Sequence, residues 1–218
     1  VPEEFVEAVL PHVSEQVAAM VRLQTLTGMR PGEVVIMRGC DLDTTGGLWT
    51  YTPERHKTEH HGHERLIYIG PQAQLILKPW LKTELQAHLF SPAEAEAERQ
   101  VDRRQQRKTP LWPSHLKHQA KTRKRSPKRT ARNRYDVASY RRAISRGVER
   151  ANEIVEDPEK KIPNWHPHQL RHNAATRLRK EYGIEAARVV LGQRSAGITE
   201  VYAEIDHVKA ADIMLRVG

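Results

Sequence analysis

A histidine and an arginine three residues apart lie in a helical stretch late in the chain. In His168-Gln169-Leu170-Arg171, the outer two side chains project from neighbouring positions of one helix face. A guanidinium can bind two phosphate oxygens in a bidentate fork, and an imidazole can move a proton at neutral pH. The pair therefore suits chemistry at a phosphate ester. Taken alone, however, this spacing is common and is more often an ordinary surface pair.

The charge balance favours a polyanionic partner. The 218 residues include 36 Lys and Arg against 27 Asp and Glu, a net charge of +9. Between residues 121 and 134 the chain carries no acidic residue, and such a density of basic side chains suits a DNA backbone. The alternative is a solvated loop, although a basic segment that is disordered when free can also order on DNA. The basic residues of this run are Lys121, Arg123, Lys124, Arg125, Lys128, Arg129, Arg132 and Arg134.

Several protein classes are excluded by composition. The single cysteine, Cys40, rules out an intrachain disulfide and a cysteine-based zinc site. No apolar run approaches the ~20 residues that span a bilayer. The start, Val1-Pro2-Glu3-Glu4, has no signal-peptide pattern. We therefore expect a soluble cytoplasmic protein, and the initial Val indicates a piece of a longer chain.

Hydrophobic spacing predicts the elements that must position the reactive side chains. Helical stripes over 2–13 and 17–26 stop at Gly28, and Pro31 suits the first turn of a new helix through Met37. Arg30 is therefore predicted at a bend between two helices.

Two stretches of strand character, 48–52 and 65–69, predict a small antiparallel sheet whose turn carries Lys57. Residues 91–134 are expected to form an irregular basic excursion. The fold class is predicted as α+β, mainly α-helical, with a single domain over 1–218. Further helices are predicted over 72–89 with a kink at Pro79, 135–155, 168–181, 185–191 and 208–215.

Three motifs follow one another in a recognisable order. They are Thr27-Gly28-Met29-Arg30-Pro31-Gly32-Glu33, His168-Gln169-Leu170-Arg171-His172, and Leu191-Gly192 followed by Tyr202. This order resembles the tyrosine recombinase family, the phage integrases and Xer-like recombinases, over essentially the whole chain. The resemblance implies the helical catalytic domain of that family with its small antiparallel sheet. It also implies a separate helical DNA-clamping domain before this one, and we expect no part of this chain to be that domain.

The resemblance assigns roles residue by residue. It implies Tyr202 as the nucleophile, Arg30 and Arg171 on the phosphate oxygens, and Lys57 as the hairpin lysine. His168 is implied as the general base, with Glu33 supporting the first arginine and His172 orienting its neighbours.

One departure from the family pattern is Gln193, which stands where the family has His or Trp. An amide can still donate a hydrogen bond to phosphate, but it cannot carry charge or move a proton. We therefore expect reduced activity rather than none.

The implied reaction explains why these residue types occur together. A phenol with a pKa near ~10 must lose its proton as it attacks a phosphodiester, and two arginines would stabilise the charge of the transition state. The resemblance implies a 3′-phosphotyrosyl enzyme, which another strand's 5′-hydroxyl would resolve. Because the phosphodiester energy is retained, neither ATP nor a metal ion is required.

Other functions stay open. A non-catalytic DNA-binding homologue is favoured by Gln193, whereas a type IB topoisomerase-like enzyme would nick and reseal one duplex as a single protomer. Recombination needs four protomers on double-stranded DNA. In the family, the segment that matches Asp206–Val217 docks on a neighbouring protomer. The apolar face of this segment is equally compatible with packing against its own chain. A metal site at His56, His60, His61 and His63 matches no standard zinc spacing, and a polar turn touching DNA is preferred.

Overall fold

The computed structural model describes residues 1–55, 65–110, 112–122, 132–192 and 211–217. These residues form a mainly helical fold with one small antiparallel sheet, which confirms the predicted fold class. The α-helices are Glu3–Val9 (α1), Glu15–Thr27 (α2), Pro31–Val35 (α3), Pro71–Leu77 (α4), Pro92–Gln105 (α5), Pro113–Thr122 (α6), Val137–Glu153 (α7) and His168–Leu191 (α8). Residues 211–217 are also helical.

The sheet holds three strands, one more than the sequence predicted. Leu42–Asp43 (β1), Trp49–Tyr51 (β2) and Ile67–Ile69 (β3) pair in the order β1-β2-β3, with both pairings antiparallel. The register sets Trp49 opposite Ile69 and Tyr51 opposite Ile67. These four side chains are buried and face the core, because alternate residues of a strand point to the same side of the sheet. The pairing of β2 with β3 therefore fixes the chain on both sides of residues 56–64, which lie outside the described residues.

Helix α2 is the centre of the core. It packs against α4, α7 and α8 and is buried along most of its length, with Met20 and Leu23 completely buried. Burying each such side chain contributes about 2 kcal/mol. This packing holds the C-terminal end of α2, at Thr27, next to α8.

Two expected boundaries differ from the structure. Instead of a kinked helix over 72–89, α4 ends at Leu77, because Pro79 lies in a short 3₁₀ turn that follows it. Residues 91–134, expected to be irregular, contain α5 and α6, so that prediction was wrong for the described part of the segment.

Local interactions explain why α5 forms. The Ser91 hydroxyl caps it by accepting from the Glu94 N–H at 3.4 Å, and Glu96 pairs with Arg99 one turn later. Neither α5 nor α6 buries a residue. These helices therefore depend on propensity and capping rather than on a core-facing stripe.

The C-terminal part of the described chain packs on α8. Gly183, with φ of +86°, breaks α8 into two helical parts, where the sequence predicted two helices. Ile213 and Met214 of the helix at 211–217 are buried in a cluster with α8 residues such as Leu178 and Leu191. The sequence left open whether this apolar face docks on a neighbouring protomer or packs against its own chain. In the structure it packs against its own chain. No helix among the described residues is long and apolar enough to span a membrane.

Candidate active site

The turn that presents Arg30 requires a glycine. Gly28 ends α2 with φ of +66°, and its N–H donates to the Gln24 carbonyl at 2.9 Å. A Cβ at Gly28 would lie 2.4 Å from Leu191 Cδ2 on α8. The Gln24 side chain donates to the Met29 carbonyl at 2.9 Å, so the chain enters α3 along a defined path, with extended Arg30 as its N-cap.

Arg30 is held by a buried carboxylate. The Arg30 backbone N–H donates to Glu33 Oε2 at 2.6 Å, and its Nη1 donates to Oε1 at 2.8 Å. Glu33 is 2% exposed, whereas the Arg30 side chain is 20% exposed. The remaining Nε and Nη2 of Arg30 have no hydrogen-bond partner among the described residues. Arg30 can therefore bind an anion while Glu33 fixes its orientation.

A cleft of about 640 Å³ opens in front of Arg30. His168, at the first position of α8, lies on the same cleft, so the structure brings these two sequence-predicted residues together. The cleft is lined by Arg30, Pro31, Gly32, Glu33, Ile36, Arg55, Val137, Arg141, His166, Pro167 and His168. Its cations suit an anionic ligand.

His168 presents an imidazole of lowered pKa to the cleft. Partial burial lowers its pKa below the ordinary 6.5, and the neighbouring His172, Arg171, His166 and Arg30 lower it further. The rings of His168 and His172 meet edge to face, with centroids 5.0 Å apart. His168 is consequently neutral at neutral pH and able to accept a proton.

Arg171 lies behind the cleft rather than on its wall. Its Nη1 donates to the Gly28 carbonyl at 2.7 Å and its Nη2 to the Leu191 carbonyl at 2.6 Å, and the residue is 5% exposed. Burial, with Arg30 and Arg65 nearby, lowers its pKa to about 10, although Glu33 acts in the opposite direction. Arg171 thus joins the Gly28 turn to the end of α8 and adds positive charge close to Arg30.

Sequence reasoning missed three arginines of the site, namely Arg55 on the cleft wall, Arg141 and Arg65. Arg141 lies one turn after Val137 on α7, and both line the cleft; this i, i+4 spacing was the available signal. Arg65, next to β3, is buried and lies 3.5 Å from Glu33 Oε1 through its Nε. No local pattern marks Arg65 as part of the site.

Several predicted site residues lie outside the described residues: Lys57, Gln193, Tyr202, Arg123, Lys124, Arg125, Lys128 and Arg129, together with the histidines at 56, 60, 61 and 63. Of the described basic run, Lys121 is exposed near the end of α6, Arg134 is exposed, and Arg132 pairs with Asp136 at 2.9 Å. None of these three lines the cleft. Within the described ranges, no group of three or more His, Cys, Asp or Glu residues could hold a metal ion.

Comparison with solved structures shows the fold. The chain is similar to one described as "Crystal structure of XerA recombinase", with a TM-score of 0.52 and 16% sequence identity over 99% of this chain and 64% of that chain. A XerH site-specific recombinase bound to difH substrate in a pre-cleavage complex gives a TM-score of 0.46 and 17% identity, over 96% of this chain and 49% of that one. The chain therefore spans less than two thirds of either protein.

Comparison with families covers nearly the whole sequence. No curated protein matches this chain. The model of the Phage integrase family, however, matches residues 3–208. That range includes the Arg30 turn, the His168 helix and Tyr202. The chain therefore belongs to the phage integrase family.

Proposed function

We propose that this chain is the catalytic domain of a site-specific DNA recombinase or integrase that cleaves and rejoins strands through a 3′-phosphotyrosyl intermediate on Tyr202. The observation that carries the proposal is the cleft that Arg30, Glu33 and His168 share, with the buried Arg171 behind it. Membership of the phage integrase family supports the class of enzyme.

Each group has a defined task in the proposed reaction. Arg30 binds a non-bridging oxygen of the scissile phosphate, and the charge of Arg171 stabilises the transition state from behind. The Tyr202 oxygen forms a bond to phosphorus while the bond from phosphorus to the 5′ oxygen breaks. The phenol proton passes to neutral His168, and Lys57 protonates the departing 5′ oxygen.

The reverse attack completes the cycle without an external energy source. A free 5′-hydroxyl attacks the phosphotyrosyl linkage, so one phosphate ester replaces another at each step. ATP is therefore unnecessary, and the arginines supply the charge that a metal ion would otherwise supply. Gln193 donates a hydrogen bond where the family has His or Trp.

The proposed partner is double-stranded DNA. Arg55 and Arg141 extend the positive wall of the cleft and hold phosphates beside the scissile one. The basic run from Lys121 to Arg134 adds contacts to the backbone, which raise affinity without reading the sequence. We propose a cytoplasmic enzyme that recombines as a tetramer on DNA.

Trapping of the covalent intermediate tests this function. The chain is incubated with a pool of random-sequence duplexes that carry a nick or a 5′-bridging phosphorothiolate, and adducts are separated on a denaturing gel. We expect an adduct that Tyr202→Phe abolishes and that the matched variant Tyr182→Phe retains. An adduct that survives Tyr202→Phe contradicts the assignment of the nucleophile.

A non-catalytic DNA-binding homologue is the second candidate, because Gln193 cannot move a proton. Binding of the same duplexes without any adduct favours this candidate. Gln193→His separates the two: in a weakened enzyme it raises the cleavage rate by roughly tenfold or more, whereas in a binding module it produces no adduct.

A further inference from the structure

Arg65 is a buried arginine to which neither the sequence motifs nor the proposed reaction gives a task. It is 5% exposed and immediately precedes the hairpin strand β3. Its Nη1 donates to the Leu66 carbonyl at 3.2 Å and to the Val190 carbonyl at 3.3 Å. Its Nε and Nη2 are buried without a hydrogen-bond partner among the described residues. Such a group is unfavourable to bury unless its charge is needed.

The end of α8 is fitted around this guanidinium. Gly192 ends the helix with φ of +60°, and a Cβ at that position would lie 2.5 Å from Arg65 Nη1. Arg65 therefore fills space that any other residue at 192 would occupy. The hydrogen bond from Arg65 to the Val190 carbonyl joins the start of β3 to α8, although the two residues are 125 positions apart in the sequence.

Arg65 and Arg30 share one carboxylate. Glu33 Oε1 lies 2.8 Å from Arg30 Nη1 and 3.5 Å from Arg65 Nε. Glu33 and the three arginines at 30, 65 and 171 together carry a net charge of +2 when all four side chains are ionised. A diester phosphate attacked by a phenolate carries two negative charges in its transition state, so this net charge matches that anion.

Removal of Arg65 would change this balance. Arg30 would then be the only described cation in a direct ion pair with the buried carboxylate, and its guanidinium would be drawn fully into that pair. The outward Nε and Nη2 of Arg30 would then be less able to bind phosphate.

We propose that Arg65 is a positioning residue for phosphate binding, which holds Glu33 from the buried side and thereby leaves Arg30 free to contact the DNA backbone. The inference rests on the proposed function only in taking DNA as the ligand. Arg65 itself does not line the cleft and touches no phosphate.

The test measures how DNA affinity depends on salt. The dissociation constant of a fluorescein-labelled, random-sequence duplex is measured across a range of NaCl concentrations for the 218-residue chain and its variants. Each phosphate contact contributes about one to the slope of log Kd against log salt. We expect Arg65→Met to lower the slope by about one, as Arg30→Met does, although only Arg30 faces the cleft.

Arg177→Met is the matched control. Arg177 also donates to backbone carbonyls of another element, those of Thr25 and Leu26, and its loss changes the net charge equally, but it has no described contact with Glu33. Its slope should equal the parent's. Adding Glu33→Gln to Arg65→Met removes the unbalanced carboxylate and should restore most of the lost slope. If Arg65 only supported the fold, the double variant would not recover the slope.

Each outcome is decisive for the role of Arg65. A slope for Arg65→Met equal to that of Arg177→Met overturns the proposal, as does a double variant no better than Arg65→Met. Should Arg65→Met fail to fold, Arg65→Lys keeps the charge beside Glu33, and a slope reduced to that of Arg30→Met would overturn the proposal. Since this assay needs no cleavage, a chain that binds DNA without forming an adduct refutes the proposed catalysis and leaves this inference standing.

Discussion

The carboxylate of Glu33 receives two hydrogen bonds from Arg30, one from its backbone N–H at 2.6 Å and one from its guanidinium at 2.8 Å. The same two residues thus form the first turn of α3 and one wall of the cleft. The Tyr51 hydroxyl donates to the Glu33 carbonyl at 2.7 Å and ties this turn to the sheet. A change at Glu33 should therefore affect the stability of the fold.

Replacing Glu33 by Gln should weaken the fold in a pH-dependent way. Burial acts to raise the pKa of Glu33, but Arg65 and the hydrogen bonds from Arg30 outweigh it, and the pKa lies below the ordinary 4.5. The stabilisation by ionised Glu33 is therefore fully present above about 4.5 and is lost as the pH falls through the lower pKa of the folded state. We expect Glu33→Gln to lower the free energy of unfolding by about 1–3 kcal/mol at pH 7.

Urea unfolding between pH 3 and pH 7 measures this effect, and the parent and variant curves should converge at the acidic end. Glu84→Gln, at an exposed residue whose carboxylate has no described partner, provides the control. A constant difference between parent and Glu33→Gln across the range would contradict the ionised state of Glu33.

Cleavage should depend on pH through His168. Its pKa lies below 6.5, and a general base must be neutral, so the cleavage rate should fall as the pH drops through that lowered pKa. His172 is the foremost charged neighbour that lowers this pKa. We therefore expect His172→Gln to move the acidic limb of the pH–rate profile towards higher pH.

Single-turnover cleavage of nicked duplexes as a function of pH measures the profile. His118→Gln, which removes an exposed histidine of α6 outside the cleft, should leave the limb where it is. An acidic limb unchanged in His168→Asn would remove His168 from the role of base.

The contact between α2 and α8 should not tolerate a side chain at residue 28. Gly28→Ala places a Cβ 2.4 Å from Leu191 Cδ2 in a backbone of positive φ, and strain and overpacking together should lower the free energy of unfolding by roughly 2–4 kcal/mol. Gly47→Ala is the control, because no atom lies within 4 Å of its Cβ position. Thermal unfolding of both variants tests this, and equal melting temperatures would show that the close approach is absent in solution.

The cleft arginine of α7 should contribute to DNA affinity. Arg141→Ala removes one cation from the cleft that Arg30 also lines, so we expect weaker binding of random duplexes and a salt slope lower by about one. Lys160→Ala carries the same charge change at an exposed residue outside the cleft. If both variants lose the same slope, the effect belongs to net charge and not to the cleft.

Local sequence was sufficient for the elements that carry the recognised motifs. The end of α2 at Gly28, the start of α3 at Pro31 and the helix that begins with His168 all follow from caps, prolines and apolar spacing, which act over a few residues. The same reasoning failed for the described part of 91–134, because it looked for a stripe of buried residues. No residue of α5 or α6 is fully buried, and the two helices depend on propensity, so their composition resembled that of a surface loop.

The sequence by itself determined the family, the fold class and the order of the motifs, since each is written in residue types at short spacings. Tertiary structure alone decided that Arg171 donates to the carbonyls of Gly28 and Leu191 and that Arg65 reaches Glu33. The physical reason is that a buried charge is satisfied by whichever groups the packing brings within hydrogen-bond distance. Those groups are 143 residues apart for Arg171 and Gly28, beyond the range of any local pattern.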